Sequence, residues 1–188
     1  FRFKLNYDEL GDEETAVYIY TSGTTGKPKG VMLTIANFKH QVESIDKLNI
    51  VRRGESLLNL LPFHHAYALS ATILEPLANG AKMVFVERLT GEEIIAKMQK
   101  YKIDIMVAVP RIVTLFHKSI MSKIRGSILT KVIFGISKNI GNLMLGKVLF
   151  AKVHKAFGGK LGLIVCGGAK LDVDVARDFW AMGFKISE

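Results

Sequence analysis

Seven short apolar, β-prone runs are spaced along the 188-residue chain: Thr15–Tyr20, Val31–Leu33, Glu55–Leu61, Lys82–Val86, Asp104–Val109, Leu161–Cys166 and Phe184–Ile186. From the third run onward, stretches of helical period separate them. An apolar helix is expected from the Phe63-His64-His65 segment to about Asn79, closed by Gly80. Thr90-Gly91-Glu92-Glu93 reads as a capping box that opens a helix to about Tyr101. Arg111–Phe157 is largely helical in period, with boundaries near Gly126 and Gly141. Its Ile112, Phe116, Ile120 and Ile124 line one face, and Val148, Val153 and Phe157 continue a similar pattern. Asp172 caps a further helix to about Met182, which Gly183 ends. Earlier in the chain, Asn37 is placed to cap a helix to about Leu48. Strands alternating with helices imply right-handed crossovers. The fold class expected is α/β, a mostly parallel sheet flanked by helices, with Thr15–Tyr20 as a buried strand.

Charge and cysteine content narrow the function classes. Net charge is +9, yet no Asp or Glu occurs between Asp104 and Asp172, an interval with eleven of the 26 basic residues. The basicity belongs to that segment. It is rich in Ile, Leu, Val and Phe and has no nucleic-acid recognition motif, which argues against a nucleic-acid partner. Apolar residues at helical spacing among Lys147, Lys152, Lys155 and Lys160 fit either an anionic membrane surface or helices packed on a sheet with solvated lysines. Cys166 is the only cysteine, so no internal disulfide forms and a reducing compartment fits. No apolar run approaches the roughly 18 residues needed to span a bilayer. Phe1-Arg2-Phe3 reads as an internal start without a leader, so the expected location is cytoplasmic, with peripheral membrane attachment as the second reading.

Between the first two strands lies Thr21-Ser22-Gly23-Thr24-Thr25-Gly26-Lys27-Pro28-Lys29-Gly30. Glycines let backbone N–H groups approach an anion and form a nest. Hydroxyls add donors and lysines add charge. The loop suits a polyphosphate rather than being an ordinary glycine loop, because glycine, hydroxyl and lysine coincide right after a strand. It is not a Walker loop, because only Thr24 and Thr25 separate Gly23 from Gly26.

Two other constellations follow strands, where ligands bind in open α/β sheets. Pro62-Phe63-His64-His65 could donate to a carboxylate or phosphate, or be a structural pair at a helix start. As a metal site the pair lacks a third ligand. Gly167-Gly168-Ala169 could admit a flat ring against its backbone, or be a tight turn. Cys166 beside it has no evident base and reads as a buried strand residue.

The loop closely resembles the phosphate loop of the acyl-adenylate-forming enzymes, Thr-Ser-Gly-Ser/Thr-Thr-Gly-x-Pro-Lys-Gly. Every fixed position matches, and Lys27 falls on the variable one. Val109-Pro110-Arg111, the helical stretch after it, and Val153–Leu161 resemble the long-chain fatty acyl-CoA synthetase branch. The resemblance implies that Thr21, Ser22, Gly23, Thr24, Thr25, Gly26 and Lys29 hold the phosphates of ATP with Mg²⁺, Thr21 being the magnesium-ligand candidate. It implies that His65, a catalytic candidate with Lys29, contacts the substrate carboxylate and reacting phosphate, while His64 and Tyr67 shape the acyl pocket. Gly167, Gly168 and Ala169 match a Ser-Gly-Gly-Ala-Pro-Leu segment beside adenine and acyl group, with Cys166 for the serine and Lys170 for the proline. A Thr-His pair often precedes Asn37 in the family; here Ile35 follows Thr34.

The implied reaction joins a fatty acid to AMP, releasing pyrophosphate, and then passes the acyl group to coenzyme A. Residues 1–188 would be part of the N-terminal domain, since the Tyr-Gly-x-Thr-Glu motif, the ribose-binding aspartate and the C-terminal domain do not occur in them. Alternatives are adenylation of another carboxylic acid and a non-catalytic lipid-surface module; the intact loop argues against the second.

Overall fold

Residues 11–21 and 27–188 are described by the computed structural model. The first two strands form a sheet of their own. β1 (Thr15–Thr21) runs antiparallel to β2 (Lys29–Thr34), with Thr21 opposite Lys29 and Tyr20 opposite Gly30. The expectation that Thr15–Tyr20 is buried is corrected. Its side chains alternate, and Tyr18 and Tyr20 are 59% and 72% exposed. A strand buried on both faces needs a layer on each side, and a two-stranded hairpin does not supply them.

α1 (Ile35–Asp46) starts three residues earlier than Asn37 suggests. Asn37 N donates to Thr34 Oγ1 at 3.3 Å, and Thr34 N donates to Asn37 Oδ1 at 3.0 Å. This is a reciprocal capping box, with Asn37 in the place where Glu or Gln usually reaches back.

The second sheet holds β3 (Ser56–Asn59), β4 (Lys82–Phe85), β5 (Ile105–Ala108), β6 (Leu163–Cys166) and β7 (Lys185–Ser187). Their order is β4-β3-β5-β6-β7, and every neighbouring pair is parallel. All five carboxyl ends therefore share one edge. Side chains alternate between two apolar layers. Leu58, Met106, Ala108, Ile164 and Cys166 point into the larger layer; Leu57, Ile105 and Val107 point into the smaller one. Each fully buried Leu or Ile contributes about 1.5–3 kcal/mol.

Helices fill the crossovers. After β3 come α2 (Ala66–Leu69), a π-helical turn (Ser70–Leu74) and α3 (Glu75–Asn79), continuous with one another. Gly80 closes the run at φ +66°. α4 (Gly91–Tyr101) leads to β5, and Thr90 Oγ1 caps it by accepting from Glu93 N at 3.3 Å. The expected box is half made. Glu93 instead accepts from Glu87 N and Arg88 N at 2.8 and 2.9 Å, the N–H groups that the chain leaving β4 presents.

Arg111–Phe157 resolves into α5 (Pro110–Arg125), α6 (Ile128–Ile140), α7 (Leu143–Leu149) and α8 (Ala151–Ala156), with breaks at Gly126 and Gly141 as read from sequence. Ile120 and Ile124 are buried, and Ile112 and Phe116 pack against the core. Phe157 and Val153 also face inward. Val148 does not: it is 73% exposed, because the helix breaks at Phe150 and the two halves do not share a face. α9 (Val173–Ala181) is capped by Asp172, whose Oδ1 accepts from Asp174 N at 2.7 Å, and Gly183 turns the chain into β7 at φ +85°.

Candidate active site

The site is built at the shared carboxyl edge of the parallel sheet. Asn59 ends β3 as a buried amide in an otherwise apolar run. Its Nδ2 donates to Leu61 O at 3.1 Å, and its Oδ1 accepts from Leu61 N at 2.8 Å. Both halves of the amide are thus spent on folding the segment that delivers Phe63-His64-His65. Phe63 packs edge-on against Phe85 at the end of β4, with centroids 5.2 Å apart. His65 sits at the N-cap of α2 in extended backbone, and its side chain makes no capping bond. Its imidazole is left to the cavity it lines. The His64 ring lies 4.2 Å from the His65 ring, tilted by 50°, and does not line that cavity.

At the end of β6, Gly167 N donates to Ala108 O at 3.2 Å, which holds the turn against β5. A Cβ on Gly167 would lie 2.6 Å from Tyr67 Cζ, so the phenol ring rests directly on this glycine. Gly168 adopts φ +84° and lines the same cavity; Ala169 follows on the surface. Tyr67 Oη is buried with no hydrogen-bond partner. Burial, with a smaller contribution from Cys166, pushes its phenol up to about 12. At neutral pH it is an O–H donor without an acceptor. Burial, and then Glu188, pushes the Cys166 thiol up to about 11. That is an inert thiol, as the sequence suggests.

Thr21 and Lys29 stand opposite each other where β1 ends and β2 begins, both exposed. Ser22, Gly23, Thr24, Thr25 and Gly26 lie outside the described residues. The hairpin is tied to the sheet edge through α1, whose Gln41 Oε1 accepts from Ser70 Oγ at 2.7 Å in the helical run that begins at His65. Among the described residues no hydrogen bond joins Thr21 or Lys29 to His65 or Tyr67. No three His, Cys, Asp or Glu side chains among them are grouped to hold a metal ion. Thr21 offers a single hydroxyl, which suits a Mg²⁺ ion already carried by phosphates and water rather than a cage made by the protein.

A cavity of about 1690 Å³ starts from His65, Tyr67 and Gly168 beyond the strand ends and runs among α4–α8. Its wall is mainly apolar, including Ile94, Ile112, Phe116, Ile120, Ile133 and Phe157. The sequence reading of the site missed two residues. Arg111, in the first turn of α5, brings a cation to this wall, and Asn59 shapes the histidine loop. The signals were a cation right after a strand-ending Pro110, and an amide inside Leu57-Leu58-Asn59-Leu60-Leu61.

Known proteins share this fold. A family profile described as AMP-binding enzyme matches residues 4–188. The chain is similar to 4-coumarate–CoA ligase 4 of Arabidopsis thaliana, 31% identical over 115 residues, 59% of this chain and 20% of that protein. It is similar to the long-chain-fatty-acid–[acyl-carrier-protein] ligase AEE15 of the same plant, 30% identical over 118 residues, 63% of this chain and 16% of that protein. It is 29% identical over 154 residues to luciferin 4-monooxygenase of Nipponoluciola cruciata, 78% of this chain and 28% of that protein. The chain thus spans less than a third of each of these relatives. Among solved structures, the N-terminal domain of FACL13 from Mycobacterium tuberculosis aligns with a TM-score of 0.70 at 19% identity, covering 96% of this chain and 37% of that one. Apo MatB from Rhodopseudomonas palustris aligns at 0.71 and 20% identity, covering 97% and 30%. Parallel sheet, carboxyl-edge site and profile match lead to one conclusion: the chain belongs to the AMP-binding enzyme family, as part of its N-terminal domain.

Proposed function

We propose that this chain is the nucleotide- and acyl-binding part of an acid–thiol ligase that activates a long-chain fatty acid with ATP and passes it to coenzyme A. The observation that carries the reading is the apolar cavity that begins at His65 and Gly168. It exceeds the roughly 300–1,000 Å³ usual for small-ligand sites. A long acyl chain uses such a wall; its carboxylate would lie at the His65 end.

A carboxylate is a poor electrophile, being negative and resonance-stabilised. Attack of its oxygen on the α-phosphorus of ATP forms a mixed anhydride and expels pyrophosphate; a thiol then displaces AMP. The protein's work is positioning and charge neutralisation. His65 would orient the carboxylate against the α-phosphate. Lys29, with the Thr21–Gly26 loop, would hold the departing phosphates. Mg²⁺, brought with the nucleotide and touching Thr21, would neutralise phosphate charge. Gly167 and Gly168 would let the nucleotide lie against backbone, with Ala169 beside them, and Tyr67 would form the floor where acyl group and adenylate meet. His64 would act on acyl preference through its contact with His65.

ATP–pyrophosphate exchange in the full-length enzyme tests this. Lys29→Ala should lose about 10²–10³-fold, the magnitude of one removed transition-state donor, and Lys27→Ala should lose far less. His65→Ala should slow acyl-adenylate formation. A larger loss at Lys27, or an unchanged rate for His65→Ala, would overturn these roles. The buried Tyr67 hydroxyl without an acceptor favours a second reading, an acid that carries an oxygen, such as a hydroxylated aryl acid. Exchange rates across fatty and hydroxycinnamic acids separate the two.

A further inference from the structure

The cations between Asp104 and Asp172 do not share one environment. Lys138 Nζ lies 2.6 Å from Asp178 Oδ1, a buried carboxylate that also holds His117 Nε2 at 2.8 Å. Lys160 approaches Asp104 at 4.0 Å. Among the described residues, Lys131, Lys147 and Lys152 make no ion pair, and they cluster in sequence on α6, α7 and the start of α8.

The same helices expose apolar side chains. α6 packs inward through Ile133, Phe134 and Ser137, whose Oγ donates to Ala181 O at 2.7 Å. Its other side carries Ile128, Val132, Ile136 and Ile140 at four-residue spacing, all exposed, Ile128 by 81%. On α7, Met144 is 80% exposed. A helix apolar on both sides needs a second apolar neighbour. The cavity adds an independent observation. Leu129 of α6 and Val148 of α7 line it and are also exposed, so its apolar wall continues onto this outer face, with Lys152 on the rim.

We propose that α6 and α7 dock on an anionic lipid bilayer, with Ile128, Val132, Ile136 and Met144 at the acyl boundary and Lys131, Lys147 and Lys152 against the headgroup phosphates, and that the cavity receives its acid directly from that lipid. The occupant follows from complementarity. A segment of this length without one carboxylate suits an anionic surface, and apolar side chains flanked by lysines are the composition of an interfacial helix. The docking stands on the surface alone. The delivery of substrate rests on the fatty-acid reading above.

The full-length protein with Met144→Cys, labelled with a polarity-sensitive maleimide, provides the test; Cys166 is buried, and the parent protein treated alike gives the background labelling to subtract. Ready labelling without lipid is expected, with a blue shift on phosphatidylcholine vesicles containing phosphatidylserine and a weaker one on phosphatidylcholine alone. Each of Lys131→Gln, Lys147→Gln and Lys152→Gln should weaken vesicle binding about fivefold, and rising salt should do the same. Adenylation of a short, water-soluble acid should be unchanged in Lys131→Gln and Lys147→Gln, which lie off the cavity, while use of vesicle-borne long-chain acid falls. A Met144→Cys site closed to the maleimide in the native protein would mean that another segment or partner covers the face, and would overturn the proposal. So would binding indifferent to phosphatidylserine, salt and the lysine changes. Binding as expected without turnover of any fatty acid would refute the substrate reading and leave the docking in place.

Discussion

Gly167 and Tyr67 stand a hundred residues apart in sequence and in contact in space. A Cβ at Gly167 would meet Tyr67 Cζ at 2.6 Å and Oη at 2.8 Å, both closer than real side chains come. Gly167→Ala must therefore displace the ring that floors the cavity. We expect a loss of about 1–3 kcal/mol in stability, the usual cost of overpacking, and slower adenylate formation. Tyr67→Ala on top of it should recover stability relative to the sum of the two single changes. A double-mutant cycle of thermal melts measures this coupling; strict additivity would show that the contact has no energetic weight. Both residues were legible as site candidates from their motifs. Their contact was not, because strand order and loop direction decide it, and neither is a local property. The same holds for His64 and His65. The motif match assigns His65 to the carboxylate and His64 to the acyl pocket, whereas residue type alone does not separate them. The N-cap position leaves the His65 ring to the cavity, which His64 does not line.

Among the elements, the apolar run from Ala66 to Asn79 was legible as a helix with its glycine stop. Its π-helical turn was not, since that is a backbone register that no side-chain period encodes. The turn leads into Glu75, which is 1% exposed. Glu75 Oε1 accepts from Asn79 Nδ2 at 2.9 Å, while Oε2 is buried with no partner. Burial first, then Asp46, raises the Glu75 pKa above 4.5, against a smaller lowering by Asn79. The folded state thus binds this proton more tightly than the unfolded chain does. The stability it brings is complete below pH 4.5 and is lost as pH rises through the folded pKa. Glu75→Gln removes the titration and keeps the acceptor for Asn79. Melting temperature should fall with pH above 4.5 more steeply in the parent than in the variant, and Gln should be the more stable at neutral pH. Equal slopes in both proteins would remove the buried carboxyl as the cause.

For the whole molecule, alternation of strands and helices was enough to read a parallel sheet with its ligand edge. It did not separate the hairpin from the main sheet, because apolar β-prone residues in Thr15–Tyr20 look the same whether one face or both are covered. Nor did it give the order β4-β3-β5-β6-β7, which rests on long-range packing. The last crossover shows how that packing is locked. His154 of α8 stacks on Phe184 at 4.0 Å and 11°, and its Nε2 donates to Met182 O at 2.9 Å; Nδ1 is buried with no partner. One neutral ring thus joins α8 to the chain between α9 and β7. Burial foremost, then the charge of Lys147, lowers its pKa below 6.5, with the Met182 carbonyl working the other way. A depressed pKa in the folded state means stability that is present above pH 6.5 and is lost as pH falls towards the folded value. This is opposite in sign to Glu75, so the two groups favour different ends of the acid range. His154→Gln keeps a donor for Met182 and cannot titrate. It should cost stability at neutral pH by losing the ring stack, yet lose less than the parent as pH drops below 6.5. Denaturant unfolding of the parent, Glu75→Gln, His154→Gln and the double variant, at matched pH, separates the slopes. A His154→Gln curve parallel to that of the parent would show that this histidine does not couple the last crossover to pH.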